Sequence, residues 1–366
     1  MKFRLDRQRF LEAVQLVGGV VAPRAIKPIY ESLQIVSRDG GIEILATDLE
    51  VGIRLFLDDV AVEEAGTMTI PAQRLSSILR EVVDDSIEIG WRGQTCEIVA
   101  QGSRFKVLCE NPDDFPEIPE FDERGMFAVP NGTFTKLVAK TGFAAAKEKA
   151  RFALNGIQMT VAGTEIACVA TDGRRLAMMN GACENPDGVE RSGIIPTKGM
   201  SQMVKVLTEG DEVIRLNLGE SLCLAQTRRA VISSRLVEGQ YPPVKEVIPA
   251  NTTNRVVLNR AEIIAALRKA RILTNQESRV VRLGFESGGR LLIDAQAVEV
   301  GEAHIEMAVE YTGEPMRIGF NPEFLLEGFG AAEGETARFE LSAPNSPGKI
   351  MDDAGYTYVV SPVSLE

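Results

Sequence analysis

The strongest constraint on the fold of this chain is that it repeats itself. An apolar stretch at 42–45 runs into Ala46-Thr47-Asp48-Leu49-Glu50 and out into another at 51–56; 124 residues further on, a stretch starting at Glu165 runs into Ala170-Thr171-Asp172-Gly173-Arg174-Arg175-Leu176 and out to Met179. Thr-Asp-Gly between two apolar runs has the composition of a tight turn, in which glycine accepts positive φ and aspartate caps neighbouring N–H groups. The surroundings repeat as well. Phe10, Ala13, Val14 and Val17 stand at helical spacing behind a candidate N-cap, Asp6, and Phe134, Leu137, Val138 and Thr141 restate that stripe 124 residues on. A second stripe, Leu75, Ile78, Leu79 and Val82, follows Ile70-Pro71-Ala72; Met200, Met203, Val204 and Leu207 follow Ile195-Pro196-Thr197 in the same way. Registered repetition of helices, strands and prolines implies an array of similar structural units.

A third copy is more diverged. Asn259 is placed to cap a helix with Ile263, Ala266, Leu267 and Ala270 on one face, and Leu325, Gly328, Phe329 and Ala332 lie 125 residues after the Met200 stripe. The Thr-Asp turn is replaced here by Gln296-Ala297. Three α+β domains are expected, at 1–125, 126–252 and 253–366, each with two helices and about eight strands. Strands are expected at 29–36, 42–45, 51–56 and 67–70 in the first copy, and a strand at 356–360 closes the third. The proline-rich, acidic stretch 111–120 reads as a connection between domains.

Enzyme chemistry finds little to build on. The single histidine, His304, lies in an alternating stretch, and no Walker loop, dinucleotide fingerprint or HExxH is present. Five cysteines, Cys96, Cys109, Cys168, Cys183 and Cys223, have no paired spacing and suggest reduced, buried thiols rather than a metal site or disulfides. No cofactor is expected. The chain has no apolar run long enough to span a membrane and no signal-peptide pattern, so a cytoplasmic location without a membrane partner is the expectation. Forty basic against 52 acidic residues give a net charge of −12, which argues against bulk attraction to nucleic acid. The distribution qualifies this. Arg7, Arg9, Arg74, Arg80, Lys136, Lys140, Lys198, Lys205, Arg268 and Lys269 all fall on expected helices, largely off their apolar stripes, while acidic residues crowd the connections. A helix surface that is basic in all three units suits phosphates contacted without base readout.

With these features in view, the chain resembles the bacterial DNA polymerase III β subunits, the sliding clamps. The resemblance is carried by Met1-Lys2-Phe3, Arg24, Ala46-Thr47-Asp48-Leu49-Glu50, Leu154-Asn155-Gly156, the turn 170–177, Pro196-Thr197-Lys198-Gly199, Ser234-Arg235-Leu236-Val237-Glu238-Gly239 and Tyr358-Val359-Val360-Ser361-Pro362. It spans the full length. It implies three DNA-clamp domains, a head-to-tail ring dimer with helices inside and sheets outside, and a processivity factor without catalytic activity. The implied partners are double-stranded DNA held topologically and without sequence preference, the DNA polymerase III catalytic subunit, the clamp-loader complex and other proteins with a clamp-binding motif. By position, the resemblance implies DNA contacts at Arg24, Arg80, Lys147, Lys149 and Lys198. It implies a dimer interface pairing Ile272 and Leu273 with Phe105 and Val107, for which an ordinary core role is the plainer reading. A peptide-binding pocket would be formed by Leu154, Thr171, Gly173, Arg174, Arg175, Leu176, Pro242, Val247, Val359, Ser361, Pro362 and Val363. Departures from the family pattern occur at Glu246, where arginine is common, at Ser361, where methionine is common, and at Ser364, where a cation is common. Two other readings remain open on the residues alone: a hydrolase using Asp48, Asp172 and Arg174, and a monomeric three-domain scaffold that binds peptides without closing a ring.

Overall fold

The computed structural model describes residues 1–22, 24–147, 152–208, 212–275, 279–298 and 300–364. The first repeat comprises β1 (Lys2–Asp6), α1 (Arg7–Gly18), β2 (Ser32–Arg38), β3 (Gly41–Thr47), β4 (Val51–Asp58), β5 (Ala61–Glu64), β6 (Thr67–Pro71), α2 (Ala72–Glu81), β7 (Ser86–Arg92), β8 (Thr95–Ala100) and β9 (Ser103–Leu108). The second comprises β10 (Phe127–Pro130), α3 (Asn131–Thr141), β11 (Gly156–Ala162), β12 (Glu165–Thr171), β13 (Arg175–Ala182), β14 (Arg191–Pro196), α4 (Thr197–Lys205), β15 (Val213–Leu218), β16 (Leu222–Gln226), β17 (Ala230–Arg235) and the short α5 (Val244–Val247). The third comprises β18 (Asn254–Asn259), α6 (Arg260–Arg271), β19 (Val281–Glu286), β20 (Arg290–Ala297), β21 (Gly301–Ala308), β22 (Glu310–Thr312), β23 (Met316–Phe320), α7 (Pro322–Ala331), β24 (Thr336–Leu341), β25 (Gly348–Met351) and β26 (Tyr356–Val360). Each repeat thus carries two long helices with eight or nine strands.

The helices form where their stripes and caps place them. Asp6 accepts the Arg9 N–H at 2.7 Å and opens α1, whose Phe10, Val14 and Val17 are buried; Asn259 caps α6 through Glu262 N–H at 3.1 Å. Asn321 caps α7, with Pro322 in its first turn, where a missing N–H costs nothing. Phe3 on β1 meets Phe10 edge-on at 6.3 Å, tying strand and helix into one core.

Two compact units result, and they do not follow the repeats. One contains a five-stranded sheet, β5-β1-β7-β8-β9, and an eight-stranded sheet, β10-β15-β16-β17-β4-β3-β2-β6. The other contains a nine-stranded sheet, β14-β11-β12-β13-β26-β25-β24-β18-β22, and a four-stranded sheet, β21-β20-β19-β23. The cause is strand pairing across repeat boundaries: β17 pairs with β4 (Ile232 opposite Ile53), and β13 with β26 (Ala177 opposite Tyr358). The middle repeat therefore contributes strands to both units.

Three expectations need correction. Residues 28–31 form a 3-10 turn rather than the start of a strand, because Pro28 fixes φ and donates no N–H; β2 begins at Ser32. A short polar strand, β5, was not foreseen. The stretch 111–120 does run as a connection from β9 toward β10, but its apolar residues are packed rather than exposed as its polarity suggested: Phe115 and Ile118 are buried against Ile29 and Leu45, and Arg54 donates to the Ile118 carbonyl at 3.0 Å.

Candidate functional site

The repeated turn builds itself from its own side chains. In the second repeat, Thr171 Oγ1 accepts the Gly173 N–H at 3.0 Å and donates to the Arg175 carbonyl at 2.5 Å. Asp172 Oδ1 accepts the N–H groups of Arg174 at 2.9 Å and Arg175 at 3.1 Å. Gly173 takes φ +86°, where a side chain would be strained. The first repeat makes the same bonds with Thr47 and Asp48, and Leu49 accepts φ +76° in the glycine's place. Both aspartates are committed to backbone donors, so neither is free to act as a base.

Each turn also grips a cation. Lys198, at the start of α4, donates to Asp48 Oδ2 at 2.5 Å and to the Val20 carbonyl at 2.8 Å. Arg175 donates to Asp172 Oδ2 at 3.1 Å and to the Phe143 carbonyl at 3.0 Å, pairs with Glu327 of α7, and lies 4.4 Å above the Phe324 ring. Its side chain is buried and faces the protein's own groups, so it is not an open pocket wall.

Beside the second turn lies an apolar cluster. Val169, Leu176 and Val359 are buried, and Met178, Tyr241, Val244 and Ile248 pack on them. Tyr241 donates its hydroxyl to the Val169 carbonyl at 3.3 Å, and burial pushes its pKa up. The tail is stitched on: Ser361 N–H donates to the Arg174 carbonyl at 2.9 Å, and Val363 N–H to the Gly319 carbonyl at 2.8 Å. Val247 and Val363 stand exposed, while Leu154, Pro242, Ser361 and Pro362 are half-buried. The turn and the tail are thereby brought together with Leu176 and Val359 as the floor. Tyr241 and Val169 belong to this site and were not singled out from the sequence. The signal was available: Tyr241 precedes Pro242 as Phe115 precedes Pro116, and both aromatics pack beside a turn-bearing strand.

The basic helix residues divide into two groups. Arg9 pairs with Asp58 and Asp59, Lys136 and Lys140 with Glu333, and Lys198 with Asp48, while Arg7 donates to the Leu79 and Asp84 carbonyls. Arg74, Arg80, Lys205, Arg268 and Lys269 make no ion pair among the described residues and are free to face an anion. Arg24 and Lys147 are exposed, and Lys149 lies outside the described residues. Of the expected DNA contacts among the described residues, Lys198 is therefore the one already tied to a carboxylate.

Two terminal strands complete the inventory. β9 ends the five-stranded sheet and β21, eight residues long, ends the four-stranded one. Phe105 and Val107 are half-buried on the core-facing side of β9, opposite the buried Ile98 and Cys96. The exposed apolar residue on that strand is instead Leu108, 79% accessible, which the sequence reading missed although it sits at the solvent-facing parity. Ile272, just past α6, is 72% accessible, Leu273 is half-buried, and Val298 and Val300 are exposed before β21.

Family profiles cover nearly the whole chain: the N-terminal domain of the DNA polymerase III β subunit matches residues 1–119, its central domain 128–243 and its C-terminal domain 245–364. The chain belongs to the DNA polymerase III β subunit family. It is 34% identical over 370 residues to the β sliding clamp of Pseudomonas aeruginosa and 31% identical over 371 residues to that of Escherichia coli K12, each match covering 100% of both chains. The crystal structure of the Pseudomonas aeruginosa β subunit superposes with a TM-score of 0.93 at 33% identity, and that of the Bacillus subtilis sliding clamp with 0.96 at 25%, again over 100% of both chains. Three clamp domains and the role of a DNA sliding clamp, a non-catalytic processivity factor, follow from this membership. The hydrolase reading is overturned by it. No helix among the described residues is long and apolar enough to cross a membrane.

Proposed function

We propose that two copies of this chain close head to tail into a ring around duplex DNA in the cytoplasm, with domains at 1–125, 126–252 and 253–366. The observation that carries this is the pair of open edges. β9 presents Arg104, Lys106 and Leu108 to solvent, and β21 presents Glu302 and Glu306 on its exposed parity. An unpaired strand beside exposed apolar residues invites pairing with another chain, and opposite charges fix which edge meets which. A heterologous contact that closes leaves no edge for filament growth. Ile272 and Leu273 would lie against the β9 edge of the second copy, and the half-burial of Phe105 and Val107 suits a core face extended by that contact.

In the ring, Arg24, Arg80, Lys147 and Lys149, together with the unpaired Arg74, Lys205, Arg268 and Lys269, would meet phosphates weakly and without reading sequence. The cluster on Leu176 and Val359, with Gly173 and Arg174 on one side and Ser361, Pro362 and Val363 on the other, would take a short apolar motif. Such motifs would come from the polymerase catalytic subunit, the clamp loader and other clamp-binding proteins. The test is retention after loading by the cognate loader and ATP, on circular plasmid and on the same plasmid linearised. Retention on circles alone in moderate salt is expected; equal retention on both, falling steeply with salt, would replace the ring by open electrostatic binding.

A further inference from the structure

The one histidine of the chain, His304, stands in the middle of the edge strand β21. Glu302, His304 and Glu306 are exposed on one parity of that strand, and Ala303, Ile305 and Met307 are half-buried on the other. His304 lies directly opposite Asp294 on β20, with Nδ1 2.7 Å from Asp294 Oδ1, and its side chain is 70% exposed. An ionised carboxylate only accepts, so Nδ1 carries the hydrogen and Nε2 is the nitrogen that gains or loses a proton. Glu302 Oε2 lies 4.0 Å from Nε2, beyond hydrogen-bond reach. The other charges on this face are Glu306, 3.5 Å from Arg290, and Arg282 of β19, directly across from Asp294. The helix α6 packs on the opposite face, where Leu291, Ile293 and Ala295 are buried.

The strands of the five-stranded and four-stranded sheets pair antiparallel, and an edge contact that continues this pattern sets β9 of a second copy antiparallel to β21. Centring Ser103–Leu108 on Gly301–Ala308 places Ile305 opposite Phe105 and Ala303 opposite Val107, half-buried against half-buried, and Glu306 opposite Arg104. A slip of one residue would set exposed side chains against half-buried ones. In the centred register the residue opposite His304 is Lys106, which makes no ion pair among the described residues of its own chain. Its cross-strand neighbour Glu97 is engaged by Arg104 at 3.4 Å. A neutral Nε2 accepts a hydrogen bond from an ammonium group; a protonated Nε2 has no lone pair to offer and repels it.

We infer that His304 makes closure of the ring depend on pH: a neutral imidazole holds the seam by accepting from Lys106 of the second copy, and a proton on Nε2 loosens it. The inference rests on the ring contact proposed above. In the separated chain the hydrogen bond to Asp294 raises the His304 pKa above its ordinary 6.5, so the imidazole there is charged in mild acid. Closure expels that proton. The dimer is therefore tightest above the separated-chain pKa and weakens as pH falls through it. The test is the dimer dissociation constant of the full-length protein, measured by sedimentation equilibrium at pH 8.5, 7.5 and 6.0 and constant ionic strength. Weakening of about tenfold from pH 8.5 to 6.0 is expected, roughly threefold from each of the two seams, the size of an exposed charge contact. His304→Gln, neutral at every pH and still an acceptor, should keep the constant within about twofold across the range, which separates the histidine from the α-amino group and the thiols. His304→Lys, a fixed cation, should give the weak dimer throughout. A wild-type dimer equally tight at pH 6.0 and 8.5, a response that survives in His304→Gln, or a dimer that tightens in acid would overturn the inference and leave the ring standing. A protein monomeric at every pH would overturn the ring contact itself, and this inference with it.

Discussion

Replacing Lys140 by methionine removes the cation that holds the second repeat's α3 to the third repeat's β25–β26 hairpin. The Lys140 side chain is 7% exposed, and its ammonium lies 3.3 Å from Asp352 Oδ2, 3.2 Å from Glu333 Oε1 and 5.5 Å from the centre of the Tyr356 ring. Asp352, 1% exposed, also accepts the N–H groups of Glu333 at 2.7 Å, Ala354 at 2.9 Å and Tyr356 at 3.0 Å. Removing one member of a buried ion pair costs about 3–5 kcal/mol, and three surviving N–H donors keep the figure at the lower end, about 3 kcal/mol. Lys136→Met, which breaks only an exposed contact to Glu333, should cost under about 1 kcal/mol. A chain of several domains does not unfold in one step, so the comparison belongs to amide hydrogen exchange in α3 and the β25–β26 hairpin. Burial by itself would raise the Asp352 pKa, but the N–H donors and Lys140 outweigh it and hold the carboxyl below its ordinary 3.8. The stability this pair supplies is therefore present above pH 3.8 and lost as pH falls through the lower, folded value. The gap between wild type and Lys140→Met should be full near neutrality and close in acid. A loss below about 1 kcal/mol at pH 6, an equal loss in Lys136→Met, or a gap that widens in acid would refute the reasoning.

Other expectations follow from the same contacts. Arg80→Ala should reduce the salt dependence of DNA retention by about one phosphate contact, while Lys198→Ala should show a smaller change there. Hydrogen exchange near the first turn should rise in Lys198→Ala, because that lysine serves Asp48 and the Val20 carbonyl. Leu108→Asp, at an exposed position, should leave domain stability within about 0.5 kcal/mol yet halve the solution mass measured by light scattering; an intact dimer would remove β9 from the interface. Gly173→Ala, at φ +86°, should cost about 1 kcal/mol and weaken binding of a clamp-binding peptide measured by calorimetry; unchanged affinity would detach the turn from the pocket.

Much of this fold was legible in the sequence because repetition multiplies weak signals. One capping aspartate or one apolar stripe is a modest indication, but Asp6 and Asn259 cap corresponding helices, and the stripes of α1, α3 and α6 bury the same face. The failures are local. Pro28 and Pro112 each start a 3-10 turn where alternation or polarity suggested strand or spacer. The charges of α1, α3 and α4 were visible as a pattern, but periodicity cannot say which cations meet a carboxylate brought close by the fold: Lys198 is held from 150 residues away and Lys140 from 212. The pocket floor was legible for Leu176 and Val359 through family resemblance, whereas Tyr241 reaches it only because the exit segment folds back on Val169.

The repeated turn explains why the repeats hold together and where they stop doing so within one chain. In the first copy Asp48 takes Lys198 from the next repeat's α4, and in the second Arg175, braced by Asp172, pairs with Glu327 from the following repeat's α7. The same device fastens two successive seams with opposite polarity, an aspartate receiving a lysine in one and an arginine reaching a glutamate in the other. The third copy departs from it. There β20 runs on to Ala297 where Thr-Asp would stand, Val298 is exposed, and β21 ends its sheet. A unit that carries no such clasp, with an apolar tip and an acidic strand at its edge, is built to meet a surface other than its own next repeat. In the proposed ring that surface is the first domain of a second copy, so the seam that must open for loading onto DNA is the one lacking the Thr-Asp clasp. Ala297 is buried and Val298 beside it is exposed, so Val298→Asp would then add a carboxylate at the dimer seam, and slower subunit exchange in a mixed-label assay is the expected result. Unchanged exchange would mean that the missing carboxylate has no part in keeping this seam openable.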